Sequence, residues 1–95
     1  MSEVRLSVDA VKDLERMTIT HSLPPDSRER VGRSLRPLEQ FPRIGRQLDG
    51  RWEPLRFILG PWRWMLILYS YEKPDELVLV VAFHDARSSA AATGS

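Results

Sequence analysis

Two apolar runs, Trp62–Tyr71 and Leu77–His84, stand on either side of the tetrapeptide Glu72-Lys73-Pro74-Asp75. No other feature constrains the chain as strongly. The first run, WRWMLILYSY, is rich in aromatic and branched residues, and the second contains LVLVVAF with no polar interruption. Such runs predict strands. Pro74 cannot serve a central ladder, so the tetrapeptide predicts a turn between two antiparallel strands. The second run lacks alternation, which predicts burial on both of its faces. A further strand is predicted over Trp52–Leu59, closed by Gly60-Pro61.

An apolar sheet needs a covering layer, and the N-terminal half supplies one. Glu3–Leu6 reads as a short strand. Ser7 is a favourable N-cap with Asp9 in the following turn. Val8, Val11, Leu14 and Met17 recur three apart, predicting a helix to about Thr18. Pro24-Pro25 interrupts the chain. Asp26 then opens a second helix, where DSRE has the capping-box pattern and Val31, Leu35 and Leu38 form the apolar stripe. Pro37 kinks or ends that helix. FPRIGRQLDG, residues 41–50, reads as a loop from its proline and glycines. The predicted fold is α+β, in the order β-α-α-β-β-β, with two N-terminal helices packed on one face of a mainly antiparallel sheet. Residues 1–89 are expected to form one domain and 90–95 a flexible tail.

No apolar run approaches the ~18 residues of a membrane span. The opening MSEVRLSVDAVKD has no signal-peptide core. The absence of cysteine excludes disulfides and thiolate zinc sites. A cytoplasmic protein is expected, without cofactor or membrane partner. The two histidines, His21 and His84, are isolated in sequence and no metal-ligand spacing occurs, so no metal site is predicted.

Charge is unevenly distributed. Between Arg28 and Trp64 there are nine arginines and four acids, a net of +5, while the remainder carries −4. A basic segment of this kind points to an anion-binding surface, although a solvated helix face produces the same pattern. Glu53, Arg56, Arg63, His84 and Arg87 lie on or beside the predicted strands, and alternation gives Arg63 the parity of Met65, Ile67 and Tyr69. An arginine among apolar neighbours is costly to bury unless an anion or acid pairs with it. A carboxylate, a histidine and several arginines on one face suit phosphodiester cleavage by acid–base chemistry with charge stabilisation. With RNA, the substrate's own 2′-hydroxyl is the nucleophile and no metal is required. Trp52, Trp62 and Trp64 either stack bases or pack helix on sheet, and packing is the commoner role.

Four stretches together resemble the RelE/ParE superfamily of toxins from type II toxin–antitoxin systems. VRLSVDAVKDLERM is similar to its first strand and helix, and FPRIGRQLDG to its P-x-x-G-x-x-L-x-G segment. LRFILGPWRWMLILYSY is similar to its R…G-x-[YW]-R-x-x-Y core, and VLVVAFHDARSS to its last strand with H-x-x-R. GRWEPLRFILG resembles the YoeB-type segment G-K-P-E-P-L-K. The resemblance implies a toxin that is a metal-independent, ribosome-associated mRNA endoribonuclease inhibiting translation. It implies Glu53 as general base, with Arg63, His84 and Arg87 as further catalytic residues. Arg46, Arg51 and Arg56 are then expected to hold RNA phosphates. The implied partners are the ribosome, mRNA and an adjacently encoded antitoxin, in a toxin–antitoxin hetero-oligomer. The ending FHDARSS is closer to the H-G-x-R-D of ParE-like chains, and no tyrosine follows Tyr71. The alternatives are therefore a non-enzymatic inhibitor of DNA gyrase and an inactive, antitoxin-binding family member.

Overall fold

The computed structural model describes residues 2–52 and 54–87. The chain runs through β1 (Glu3–Leu6), α1 (Val8–Thr20), α2 (Ser27–Leu35), a 3-10 turn (Arg36–Glu39), β2 (Arg46–Gln47), a second 3-10 turn (Gly50–Trp52), β3 (Arg56–Leu59), β4 (Met65–Glu72) and β5 (Leu77–Asp85). The strands form one sheet in the order β1-β5-β4-β3-β2. β1 lies parallel to β5, and all other neighbours are antiparallel. This is the expected α+β fold with both helices against a mainly antiparallel sheet. The expected tail, residues 90–95, lies outside the described residues. No helix among the described residues is long and apolar enough to cross a membrane.

Local chemistry accounts for most of the helix boundaries. Ser7 Oγ accepts the Ala10 amide at 3.0 Å, capping α1 as its sequence suggests. The buried stripe of α1 is Ala10 and Leu14, with Met17 packed beside them, whereas Val8 and Val11 are exposed. Spacing of four and three fits the helix period better than an unbroken spacing of three. At α2 the capping box does not form. Asp26 is at the N-cap but makes no side-chain cap bond, because its carboxylate pairs with Arg30 at 3.0 Å. Val31, Leu35 and Leu38 are buried as the stripe requires, and α2 ends two residues before Pro37.

The strands are shorter than the apolar runs that announce them. β3 starts at Arg56 rather than Trp52, and β4 at Met65 rather than Trp62. Trp62, Arg63 and Trp64 instead lie in the β3–β4 turn, closed by the Met65 amide on the Trp62 carbonyl at 3.0 Å. Arg63 therefore does not share the strand parity expected of it. β2 adds two residues of ladder within the stretch read as loop, pairing Arg46 with Phe57 and Gln47 with Arg56.

β5 is buried mainly on one face, contrary to its unbroken apolar sequence. Val78, Val80 and Phe83 are buried on the helix side, while Leu79 and Ala82 are half-exposed. A bulge at Leu68/Tyr69 moves the pairing from Leu68–Ala82 to Tyr69–Val80, so Val81 is the extra residue. That one-residue shift returns Phe83 to the face of Val78 and Val80. The other face carries Phe57, Leu59, Leu66, Leu68, Leu79 and Ala82, with no helix or strand of the described residues over it.

One polar knot fastens the loop before β2 to the sheet. The fully buried Tyr69 donates its hydroxyl to the Pro42 carbonyl at 2.7 Å and accepts the Gly45 amide at 2.9 Å. Arg56 adds bonds to the carbonyls of Gly45 (2.9 Å) and Arg43 (3.2 Å). A Cβ on Gly45 would stand 2.6 Å from the Tyr69 oxygen and 2.7 Å from the Phe57 carbonyl, so the Pro42–Gly45 motif has a steric basis. Burial pushes the Tyr69 phenol above its ordinary value of 10.0, against the lowering effects of the Gly45 bond and the Arg56 charge.

Two expectations follow from the knot. Tyr69→Phe strands an amide and a carbonyl and should cost about 2 kcal/mol in urea unfolding. Because the folded phenol titrates higher than the unfolded one, its contribution is intact below about pH 10 and is lost as pH rises further. Tyr69→Phe should therefore show a flatter loss of stability between neutral and strongly alkaline pH than the parent. Gly45→Ala should be destabilised by roughly 1–3 kcal/mol through overpacking.

Candidate functional site

The residues expected to converge fall into three places. Arg56 faces the helix side and is occupied by loop carbonyls. Tyr69, its partner across the ladder, lies three residues along β4 from Leu66, which pairs with His84. At about 3.4 Å per residue, Arg56 is far from the His84 end of the sheet. His84 is exposed and lies on the open apolar face opposite Leu66. Arg46 is exposed on the edge strand β2, opposite Phe57, and so shares that open face. Arg51 is in the short turn Gly50–Trp52, and Glu53 lies outside the described residues.

Arg63 and Arg87 share the remaining place, the end of the sheet where the β3–β4 turn meets the C-terminus of α1. Two tryptophans form its centre. Trp62 and Trp64 stack with centroids 6.0 Å apart and planes at 20°. The Arg30 guanidinium sits 5.9 Å above Trp62, and that of Arg87 sits 5.1 Å above Trp64. The array thus runs Arg30, Trp62, Trp64, Arg87. Cations over indole faces gain about 0.5–1 kcal/mol each at exposed sites. Arg63 is exposed between the two tryptophans in the chain, and Arg33 shares a surface hollow with Asp26, Arg30 and Pro61.

His21 completes the cluster. It is the C-cap of α1, and its imidazole packs 4.4 Å from Trp64. Its Nε2 stands 3.3 Å from Asp85 Oδ2, and Arg87 Nη2 reaches the same oxygen at 3.3 Å. The Arg87 amide and Nε bind the other carboxylate oxygen at 2.8 and 3.3 Å. The hydrogen bonds from Arg87 hold the Asp85 carboxyl below its ordinary 3.8, although partial burial opposes this, and the Arg87 and His21 charges add to the lowering. Three of these residues, His21, Arg30 and Asp85, were not expected at a site from the sequence, whereas Trp62 and Trp64 carried two readings there, stacking bases or packing helix on sheet. Spacing gives no signal for His21, whose partner is 64 residues away. The Trp-Arg-Trp triplet is the local signal available for the remainder.

Four arginines, Arg30, Arg33, Arg63 and Arg87, and two aspartates, Asp26 and Asp85, gather at this end. Flat π surfaces beside guanidinium groups can stack a base while a neighbouring arginine takes its phosphate. Among the described residues, no group of three or more His, Asp or Glu side chains could hold a metal ion.

No family model matches the sequence, and no curated protein matches it. A copper-bound mutant toxin from Helicobacter pylori has a similar structure, with TM-score 0.70 over 93% of this chain and 98% of that chain. The two sequences are 15% identical, so the likeness is one of fold.

The Asp85–Arg87 pair gives a direct expectation. Asp85 is lowered in the fold, so its contribution to stability is present above about pH 4 and is lost as pH falls through the folded value. In Arg87→Ala the side-chain carboxyl resonance of Asp85 should titrate at higher pH than in the parent, read by carbon NMR.

Proposed function

We propose that the chain is the toxin of a toxin–antitoxin pair and that it acts on RNA, as a metal-independent endoribonuclease working on mRNA at the ribosome. The observation that carries this reading is the Arg30–Trp62–Trp64–Arg87 array. Arg30 and Arg87 cover its outer indole faces, and displacing either guanidinium opens a stacking plane for an unpaired base, with Arg63 and Arg87 as the phosphate ligands. The net positive charge of residues 28–64 adds a sequence-independent attraction for ribosomal and messenger RNA. Fold likeness to a toxin supports the class. His84 and Arg46 lie on the open sheet face and Arg56 is bonded to loop carbonyls, so the reading places its chemistry at the tryptophan end and gives these three no role in it. The partner is an adjacently encoded antitoxin whose acidic residues meet the basic window.

A second reading has its own support. The uncovered sheet face, with Phe57, Leu59, Leu66, Leu68, Leu79 and Ala82, is an apolar patch suited to a protein target. A non-enzymatic inhibitor of a target such as DNA gyrase would use that face rather than the tryptophan end.

Parallel assays separate the two. In a purified translation reaction with a defined mRNA, the RNA reading expects cleavage within the ribosome-bound message and no loss of gyrase supercoiling. Intact mRNA with lost supercoiling overturns it in favour of the protein target. Trp64→Ala should weaken binding of a single-stranded RNA oligonucleotide by about 5- to 150-fold, the range expected for one stacked base. Removing one phosphate-binding arginine, by Arg63→Ala, should lower the salt slope of binding by about 0.7.

A further inference from the structure

We infer that His21, oriented by Asp85, is the general base of the RNA-cleaving site at the tryptophan–arginine end. The inference rests on the RNA-cleaving reading above and assigns its proton acceptor to a residue outside the sheet.

The placement of His21 is fixed by the backbone before any side-chain contact is made. Its amide donates to the Met17 carbonyl at 2.9 Å, closing α1. Ser22 follows with φ 50, and the amides of Ser22 and Leu23 return to the carbonyls of Ile19 (3.3 Å) and Thr18 (3.0 Å). This is a Schellman-type closure with serine where glycine is usual, and the left-handed residue costs about 1 kcal/mol. The chain thus turns sharply away just after His21 and leaves the imidazole at the mouth of the cluster. Trp64 bounds one side of the ring, and the side chain retains 24% of its exposure.

Asp85 does for His21 what an orienting carboxylate does in nucleophilic catalysis. With Nε2 standing 3.3 Å from its Oδ2, the carboxylate favours the tautomer protonated at Nε2, which leaves Nδ1 with the lone pair. Asp85 also stabilises the imidazolium once a proton has arrived. The charged group facing the imidazole and its carboxylate is Arg87, whose Nη2 shares Oδ2 with His21. A phosphate held by Arg87 therefore lies beside the imidazole, because both groups converge on a single oxygen of Asp85.

The step is a transesterification. The RNA 2′-hydroxyl gives its proton to His21 Nδ1, and its oxygen bonds to the adjacent phosphorus. The bond from phosphorus to the 5′-oxygen breaks, and that oxygen takes a proton from solvent. The products are a 2′,3′-cyclic phosphate and a 5′-hydroxyl end. His21 then returns its proton to water. No oxidant, metal or further reactant is consumed.

The test uses the full chain on a ribosome-bound mRNA, with kcat and KM measured separately. His21→Ala should lower kcat by about 10²- to 10⁴-fold, the range for a lost general base, with KM changed little. Added free imidazole should restore part of the rate. His21→Gln retains a donor for Asp85 and should fold as the parent does while remaining inactive. Asp85→Asn, a change at a positioning residue, should lower kcat and displace the lower limb of the pH–rate profile. If the parent cuts no RNA, the function proposed above fails. If the parent cuts and His21→Gln, folded by circular dichroism, cuts at the same rate, the inference about His21 fails alone. Loss of activity in His21→Ala without rescue by imidazole also overturns it, since that is the mark of a structural histidine.

Discussion

The hydroxyl of Tyr69 ties the two halves of the chain together. Buried on β4, it bonds the backbone on either side of Arg43–Ile44, one partner being a carbonyl and the other an amide. A phenol is the side chain able to cross a packed layer and still give and take one hydrogen bond at its tip. Several other features depend on this contact. The loop it holds positions β2 beside β3, and Gly45 must lack a side chain to approach so closely. Arg56, pointing into the same place, satisfies carbonyls of that loop and becomes part of the scaffold.

That division of labour among arginines organises the molecule. Arg56 holds a loop and Arg43 lies over the ring of Tyr71. Arg30 and Arg87 bracket the tryptophans instead, each paired with an aspartate on or beside its own element. The helix layer makes this possible. α1 ends at His21 and α2 begins near Asp26, so the α1–α2 connection brings both helix ends to the β3–β4 turn. The tryptophans of that turn then pack between the helix ends and the start of β4, with Trp62 and Trp64 both against the core.

How much of this was legible depends on whether its cause was local. Ser7, the Val31–Leu35–Leu38 stripe and the Pro37 stop act within one or two helical turns and could be read directly. The three C-terminal strands were legible as elements because apolar runs carry them, but their starts were not. Trp62 and Trp64 give the same signal in a turn packed on a helix as in a strand. The bulge at Leu68/Tyr69 leaves no trace in LVLVVAF, so burial of one face read as burial of both. Arg56 was expected to hold an RNA phosphate, whereas in the fold its guanidinium binds backbone carbonyls, which no composition reveals. The His21–Asp85 contact joins residues that only the parallel docking of β1 and the packing of α1 against β5 bring together.

The two aspartates at the tryptophan end shape what that end can hold. Without a ligand, Asp26 and Asp85 neutralise Arg30 and Arg87, leaving Arg33 and Arg63 without an ion pair among the described residues. An entering phosphate must compete with Asp85 for the Arg87 guanidinium and also meets the carboxylate's repulsion. At exposed sites such exchanges differ by only about 1 kcal/mol, so an isolated phosphate gains little. A strand gains more. On the proposed reading, once one base has displaced a guanidinium from an indole face, the next phosphate binds as an intramolecular event to Arg63 or Arg33, at high effective concentration. On the proposed reading the self-neutralised arginines therefore select polymer over mononucleotide.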